Sequence, residues 1–87
     1  REELFGLTSQ IRRAALSVIL NYIEGYGRMR SKVYKNFLEI SFGSLQESKY
    51  LLQFSFDEKL LSEDNFKKLN LLANKIGAML WGILSKI

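Results

Sequence analysis

The chain has 87 residues, with 13 Lys+Arg against 9 Asp+Glu for a net charge of +4, and it contains no His, Cys or Pro. That length fits one small domain, and the missing Cys and His exclude disulfides, thiol nucleophiles, thiolate metal sites, most zinc and haem ligation and the usual general base near neutral pH. With 47% hydrophobic and 13% aromatic residues the chain is not disordered, and the absence of Pro with only six Gly suits long helices, so an all-α domain over residues 1–87 is expected.

The first predicted helix spans about 8–26, with Thr8 or Ser9 available as N-cap. At 100° per residue, Gln10, Arg13, Ser17, Asn21, Glu24 and Arg28 fall on one polar stripe roughly 80° wide. Nearly everything else is apolar: Leu7, Ile11, Ala15, Val18 and Tyr22 form one face, and Leu16, Ile19 and Ile23 another. A helix with two apolar faces needs neighbours on two sides, in a bundle or in an oligomer. Gly25 and Gly27 are expected to end it by adopting the left-handed conformation after the last turn.

A short link through Arg28-Met29-Arg30 then implies an antiparallel return. The second predicted helix spans about 31–56, with Ser31 as its cap. Its first half offers Tyr34, Phe37, Leu38, Phe42 and Leu45 to a core, while Ser41, Ser44, Ser48, Leu51 and Ser55 recur at helical spacing. Small residues on one line let a neighbouring backbone approach closely, and Gly43 beside them costs about 1 kcal/mol relative to Ala unless packing requires it.

A turn at 57–61 leads to the third predicted helix, about 63–86. Ser62 is a capping hydroxyl, and Glu63 and Asp64 face the positive end of the helix dipole. Phe66, Leu69, Ala73, Ile76, Leu80, Ile83 and Ile87 step by 3 and 4 in an unbroken heptad seam, and Leu72, Met79, Trp81 and Leu84 widen it. The expected architecture is an up-down antiparallel bundle of three helices. A domain of this size buries only about 60–65% of its unfolded surface, so the wide apolar coverage points to self-association or to a further helix. The alternative is a self-sufficient three-helix bundle with some exposed apolar residues.

The positive charge is local. Residues 12–35 carry Arg12, Arg13, Arg28, Arg30, Lys32 and Lys35 against the single acid Glu24, a net +5, and the rest of the chain nets −1. Such a segment suits an acidic partner such as RNA, DNA or an acidic protein surface, or it is an ordinary solvated face. Arg28, Arg30, Lys32 and Lys35 straddle the start of the second helix, where the macrodipole prefers acids, so placing cations there costs a few tenths of a kcal/mol each and prepares a phosphate cradle. Tyr26 and Tyr34 lie nearby as stacking candidates, with a place in the core the more natural role for both. Trp81 and Met79 are candidates for a partner anchor or an intersubunit contact.

Catalysis has little to work with. Ser17, Asn21 and Glu24 share a face, but no base titrating near pH 7 accompanies them, and a hydrogen-bonded seam joining Arg13, Asn21 and Glu24, with Glu24–Arg28 an i,i+4 pair, is the expected arrangement. Glu24, Glu39 and Glu47 are too scattered for a metal, and no cofactor is expected. No window reaches the ~20 apolar residues of a membrane span and the N-terminus opens Arg1-Glu2-Glu3 rather than as a signal peptide, so a cytoplasmic protein without membrane contact is expected.

The stretch Leu7-Thr-Ser-Gln-Ile-Arg-Arg-Ala-Ala15, continued by Ser17, Asn21, Ile23, Glu24-Gly25 and Gly27-Arg28, and then Phe37-Leu38, Gly43-Ser44-Leu45 and Glu47, is distinctive. It resembles the small four-helix-bundle proteins encoded in intervening sequences of bacterial 23S ribosomal RNA genes, a group to which the accessory variability proteins of diversity-generating retroelements are similar. The resemblance implies a bundle with one more helix upstream, joined by a loop at whose end this chain begins, and a ring-like homo-oligomer, commonly a pentamer. It also implies, from the retroelement relatives, a basic surface for nucleic acid and a reverse transcriptase. The family's Pro in a Ser-Ile-Pro-Ser-Asn pattern is replaced here by Ser17-Val-Ile-Leu-Asn21, which restores a backbone donor and favours a straighter helix. The expected function is a non-enzymatic oligomeric bundle that binds nucleic acid, structured RNA foremost, through Arg12, Arg13, Arg28, Arg30, Lys32 and Lys35. The alternative is a protein-interaction adaptor docking a partner such as a reverse transcriptase.

Overall fold

A computed structural model describes residues 2–87, with side chains from residue 6 onward. It is all-α: α1 (Glu2–Gly27), α2 (Tyr34–Asp57) and α3 (Glu63–Leu84). The six- and five-residue links at 28–33 and 58–62 are too short for anything but antiparallel neighbours. Both α1 and α3 pack on α2, and their backbones do not approach one another, so α2 is the central helix of a body 45 × 24 × 13 Å in extent.

Three helix boundaries differ from expectation, each for a local reason. α1 continues through Thr8 and Ser9, which lie inside the helix rather than at its N-cap position. α2 begins at Tyr34, not at 31: Val33 holds the N-cap position without a side-chain cap, while the Ser31 hydroxyl is spent on the turn, donating to the Arg28 carbonyl (2.9 Å) and accepting from the Val33 N–H (3.3 Å). α3 stops at Leu84, where Ser85 takes the C-cap and its hydroxyl donates to the Gly82 carbonyl at 3.1 Å. The cap of α3 is the one expected, with Ser62 Oγ accepting from the Asn65 N–H at 3.1 Å ahead of Glu63 and Asp64.

Helix termination also differs. No glycine among the described residues has a positive φ; α1 instead ends in tight turns, Arg28 N–H to Gly25 O at 3.0 Å and Met29 N–H to Tyr26 O at 3.3 Å. Gly25 serves packing: a Cβ there would stand 3.3 Å from Phe37 Cβ, so its value lies in the close approach of α1 to α2. The left-handed position falls to Lys59 (φ 61°) after α2, closed by Leu60 N–H to Ser55 O (2.8 Å) and Lys59 N–H to Phe56 O (3.0 Å) in a Schellman arrangement.

The buried line of α1 is Leu7, Ala14, Val18 and Gly25, with Ile11 and Asn21 half-buried between them. It is rotated roughly 40° from the apolar face expected, toward the polar stripe, leaving Ala15 and Tyr22 exposed. The reason lies on α2, which meets α1 with Ser41, Ser48 and Ser55 buried. Ser41, fully buried, donates to the Val18 carbonyl across the interface at 2.7 Å; Ser48 and Ser55 turn back on the Ser44 and Leu51 carbonyls of their own helix. A hydroxyl-lined contact accommodates the half-polar side of α1 better than its greasiest face.

On the other side of α2 the contact is hydrophobic. Leu38 and Leu45 meet Ala73 and Leu80 in one cluster with Val18, and Phe56 stacks on Phe66 with ring centroids 4.6 Å apart. Ala73 and Leu80 of the heptad seam are buried and Phe66, Ile76 and Ile83 half-buried, while Leu69 and Ile87 are exposed. Leu16, Ile19 and Ile23 of α1 are each more than half exposed, Ile19 at an apolar groove shared with Ile76, Met79 and Ile83 of α3.

Candidate nucleic-acid interface

The six cations read as one site occupy two places. Arg28, Arg30 and Lys32 sit in the turn between α1 and α2, and Lys35 is in the first turn of α2, all exposed. Arg12 and Arg13 lie 15 or 16 residues earlier on α1, about 23 Å away along a helix rising 1.5 Å per residue. They are also exposed, but successive helical residues diverge by about 100°, and Arg13 alone lines the cleft between α1 and α2. A single patch of six is therefore not formed within one chain.

Within the turn the four cations are not equivalent. Arg28 is engaged: its Nη2 lies 3.1 Å from Glu24 Oε2, and its guanidinium stands 5.5 Å over the Phe37 ring. Among the described residues, Arg30, Lys32 and Lys35 make no ion pair within 4 Å. Tyr26, Gly27, Arg28, Met29, Arg30 and Ser31 line a shallow concavity of about 540 Å³. Beside it begins α2, with no acid in its first turn and no side-chain cap, so the N–H groups of Lys35 and Asn36 have no acceptor among the described residues. Helix-start donors ringed by Lys and Arg favour an anion. Tyr26 is 62% exposed and tilted against Tyr22 (centroids 6.4 Å), whereas Tyr34 packs against the core cluster; the core place expected for both holds for Tyr34 alone.

The polar stripe of α1 forms a seam, with different partners from those expected. Asn21 Nδ2 donates to Ser17 O (2.9 Å) and Ser17 Oγ (3.0 Å), and Ser17 Oγ lies 2.7 Å from Ser44 Oγ of α2. Glu24 does pair with Arg28, but Arg13 stays out of the seam and faces Ser44 and Glu47 across the cleft instead. Ser44 and Glu47 both lie in the Gly43–Glu47 segment that carries the resemblance, and only the rotation of α1 sets them at one cleft with Arg13. Among the described residues no three His, Cys, Asp or Glu side chains converge as metal ligands, and no helix is long and apolar enough to cross a membrane.

Comparison with curated proteins and with solved structures gave no match in either case. A family model does match, covering residues 1–82: the chain belongs to the 23S rRNA-intervening sequence protein family.

Proposed function

We propose that this protein is a non-enzymatic helical bundle that self-associates and binds structured RNA through the turn between α1 and α2. The observation that carries the reading is the uncapped start of α2, with two unused backbone donors ringed by the unpaired Arg30, Lys32 and Lys35. Tyr26 stands open beside it for base stacking, which single-stranded loops of a folded RNA offer. Arg28 is a scaffold for the turn, held by Glu24 and Phe37. Self-association is supported by the apolar side chains the chain leaves in water, among them Ile19, Ile23 and Met79. Repeating a weak cationic site around an assembly multiplies affinity.

Fluorescence anisotropy with a hairpin RNA tests the reading. Three phosphate contacts give a slope of about −2 to −3 in log K against log salt, and Arg30→Glu with Lys32→Glu lowers affinity at low salt at least about tenfold. An unchanged affinity in that double variant refutes it. A second reading, an adaptor for a partner protein, draws on the outer face of α1, where Leu16, Leu20 and Ile23 are exposed. A partner that stays bound after nuclease treatment and is lost in Leu20→Glu favours it over RNA.

A further inference from the structure

Away from the basic turn, α1 and α2 enclose a polar cleft of about 230 Å³. From α1 come Gln10, Arg13 and Ser17, and from α2 Ser44 and Glu47, with Ala14 the one apolar residue lining it. Three properties of this cleft point to one ligand chemistry.

Its floor carries a spare hydroxyl hydrogen. Ser17 and Ser44 have two hydroxyl hydrogens between them and share one O···O contact of 2.7 Å, which uses one. The other partners of Ser17 Oγ and of the Ser44 backbone, Asn21 Nδ2 at 3.0 Å and Ser48 Oγ at 2.9 Å, are donors rather than acceptors for these hydroxyls. Whichever serine donates, one hydrogen remains for an acceptor entering the cleft. The walls carry opposite charges: Arg13 and Glu47 line the cleft from different helices, and among the described residues neither makes an ion pair within 4 Å. A phosphate dianion meets repulsion from Glu47, a metal cation finds one carboxylate, and an apolar ligand finds only Ala14. The volume is that of about seven or eight waters, below the usual range of drug-sized pockets.

We propose that this cleft binds a small zwitterion of the α-amino-acid type, its carboxylate taken by the Arg13 guanidinium and the spare hydroxyl, and its ammonium by Glu47. The amide of Gln10 at the rim serves a short polar side chain. The site is independent of the basic turn and of any RNA bound there.

The test is a titration of the isotope-labelled protein, followed through its amide resonances, with glycine, L-serine and L-glutamate, and separately with ethanolamine and glycolate, which keep one charge each. Saturable shifts confined to residues 10–17 and 44–47 are expected with at least one amino acid, and the single-charge analogues should bind at least about tenfold more weakly. Arg13→Met and Glu47→Gln, both at exposed positions, should each weaken binding by at least about tenfold with an unchanged helical circular dichroism spectrum. The proposal is overturned if none of the three amino acids gives a saturable shift. It is equally overturned if ethanolamine or glycolate binds as well as the amino acids, or if both variants bind like the parent.

Discussion

The two faces of α2 both bury apolar side chains, but only the one toward α1 adds hydrogen bonds between helices. Toward α1 it presents hydroxyls among apolar groups, with Ser41 bonded to the Val18 carbonyl, Ser44 to Ser17, Leu51 clustered with Leu7 and Ala14, and Phe37 against Gly25. Toward α3 it presents Leu38 and Leu45 to Ala73 and Leu80, and aromatic pairs, Phe42–Trp81 and Phe56–Phe66. The first contact has a directional part: its hydrogen bonds and close backbone approach hold only in one register. The second is governed by area and volume, and tolerates small shifts of α3. The candidate chemistry lies at the first contact and at its end, the cleft between Arg13 and Glu47 and the basic turn, because directional contacts hold polar groups in place and greasy ones do not.

The largest effect is expected on the hydrophobic side. Leu80→Ala removes a buried side chain beside Leu38 and Leu45 and should destabilise by about 3 kcal/mol, read as a lowered urea midpoint at fixed protein concentration. Ser41→Ala probes the other side: it strips the hydroxyl that donates to the Val18 carbonyl and adds no atom, and a loss of about 1.5 kcal/mol is expected. A loss under about 0.5 kcal/mol would show that the α1–α2 contact is not the directional one described here.

A pair of glycine substitutions gives the smallest and sharpest comparison. At Gly25 an added Cβ meets Phe37 Cβ at 3.3 Å, an atom tied to the backbone of α2, so Gly25→Ala should push the helices apart and cost about 1 kcal/mol. At Gly77 it meets Leu45 Cδ2 at 3.2 Å, the free end of a flexible side chain, so the gain in helix propensity should prevail and Gly77→Ala should stabilise by roughly 0.5 kcal/mol. Opposite signs in thermal melts confirm the contrast between the two faces, and equal signs break it.

How legible all this was depends on the interaction range. The heptad of α3 and the Ser62 cap followed from residues close in the chain, as did the ion pair of Glu24 with Arg28 four residues on. Ser31 misled, because a serine before a helix bonds equally well to its own turn, and here the Arg28 carbonyl and Val33 N–H claim it. The orientation of α1 misled more. Its apolar moment points at Ala15 and Tyr22, yet the helix turns Ala14 and Asn21 inward because the serines of α2 reward a half-polar neighbour. The six cations look continuous in the charge count alone; the length of α1 separates them.

The amino-acid order by itself thus determined the helices, their antiparallel succession, the local excess of positive charge and the family, since each depends on short-range spacing or on a run of residue types. The tertiary structure alone decided which side of α1 is buried, that Arg13 faces Ser44 and Glu47, and that Arg28 is held while Arg30, Lys32 and Lys35 are unpaired. These depend on how segments up to 34 residues apart in the chain, from Arg13 to Glu47, are set beside one another. A helix's own periodicity names the faces it has to offer, and only its neighbour's side chains select the one it uses.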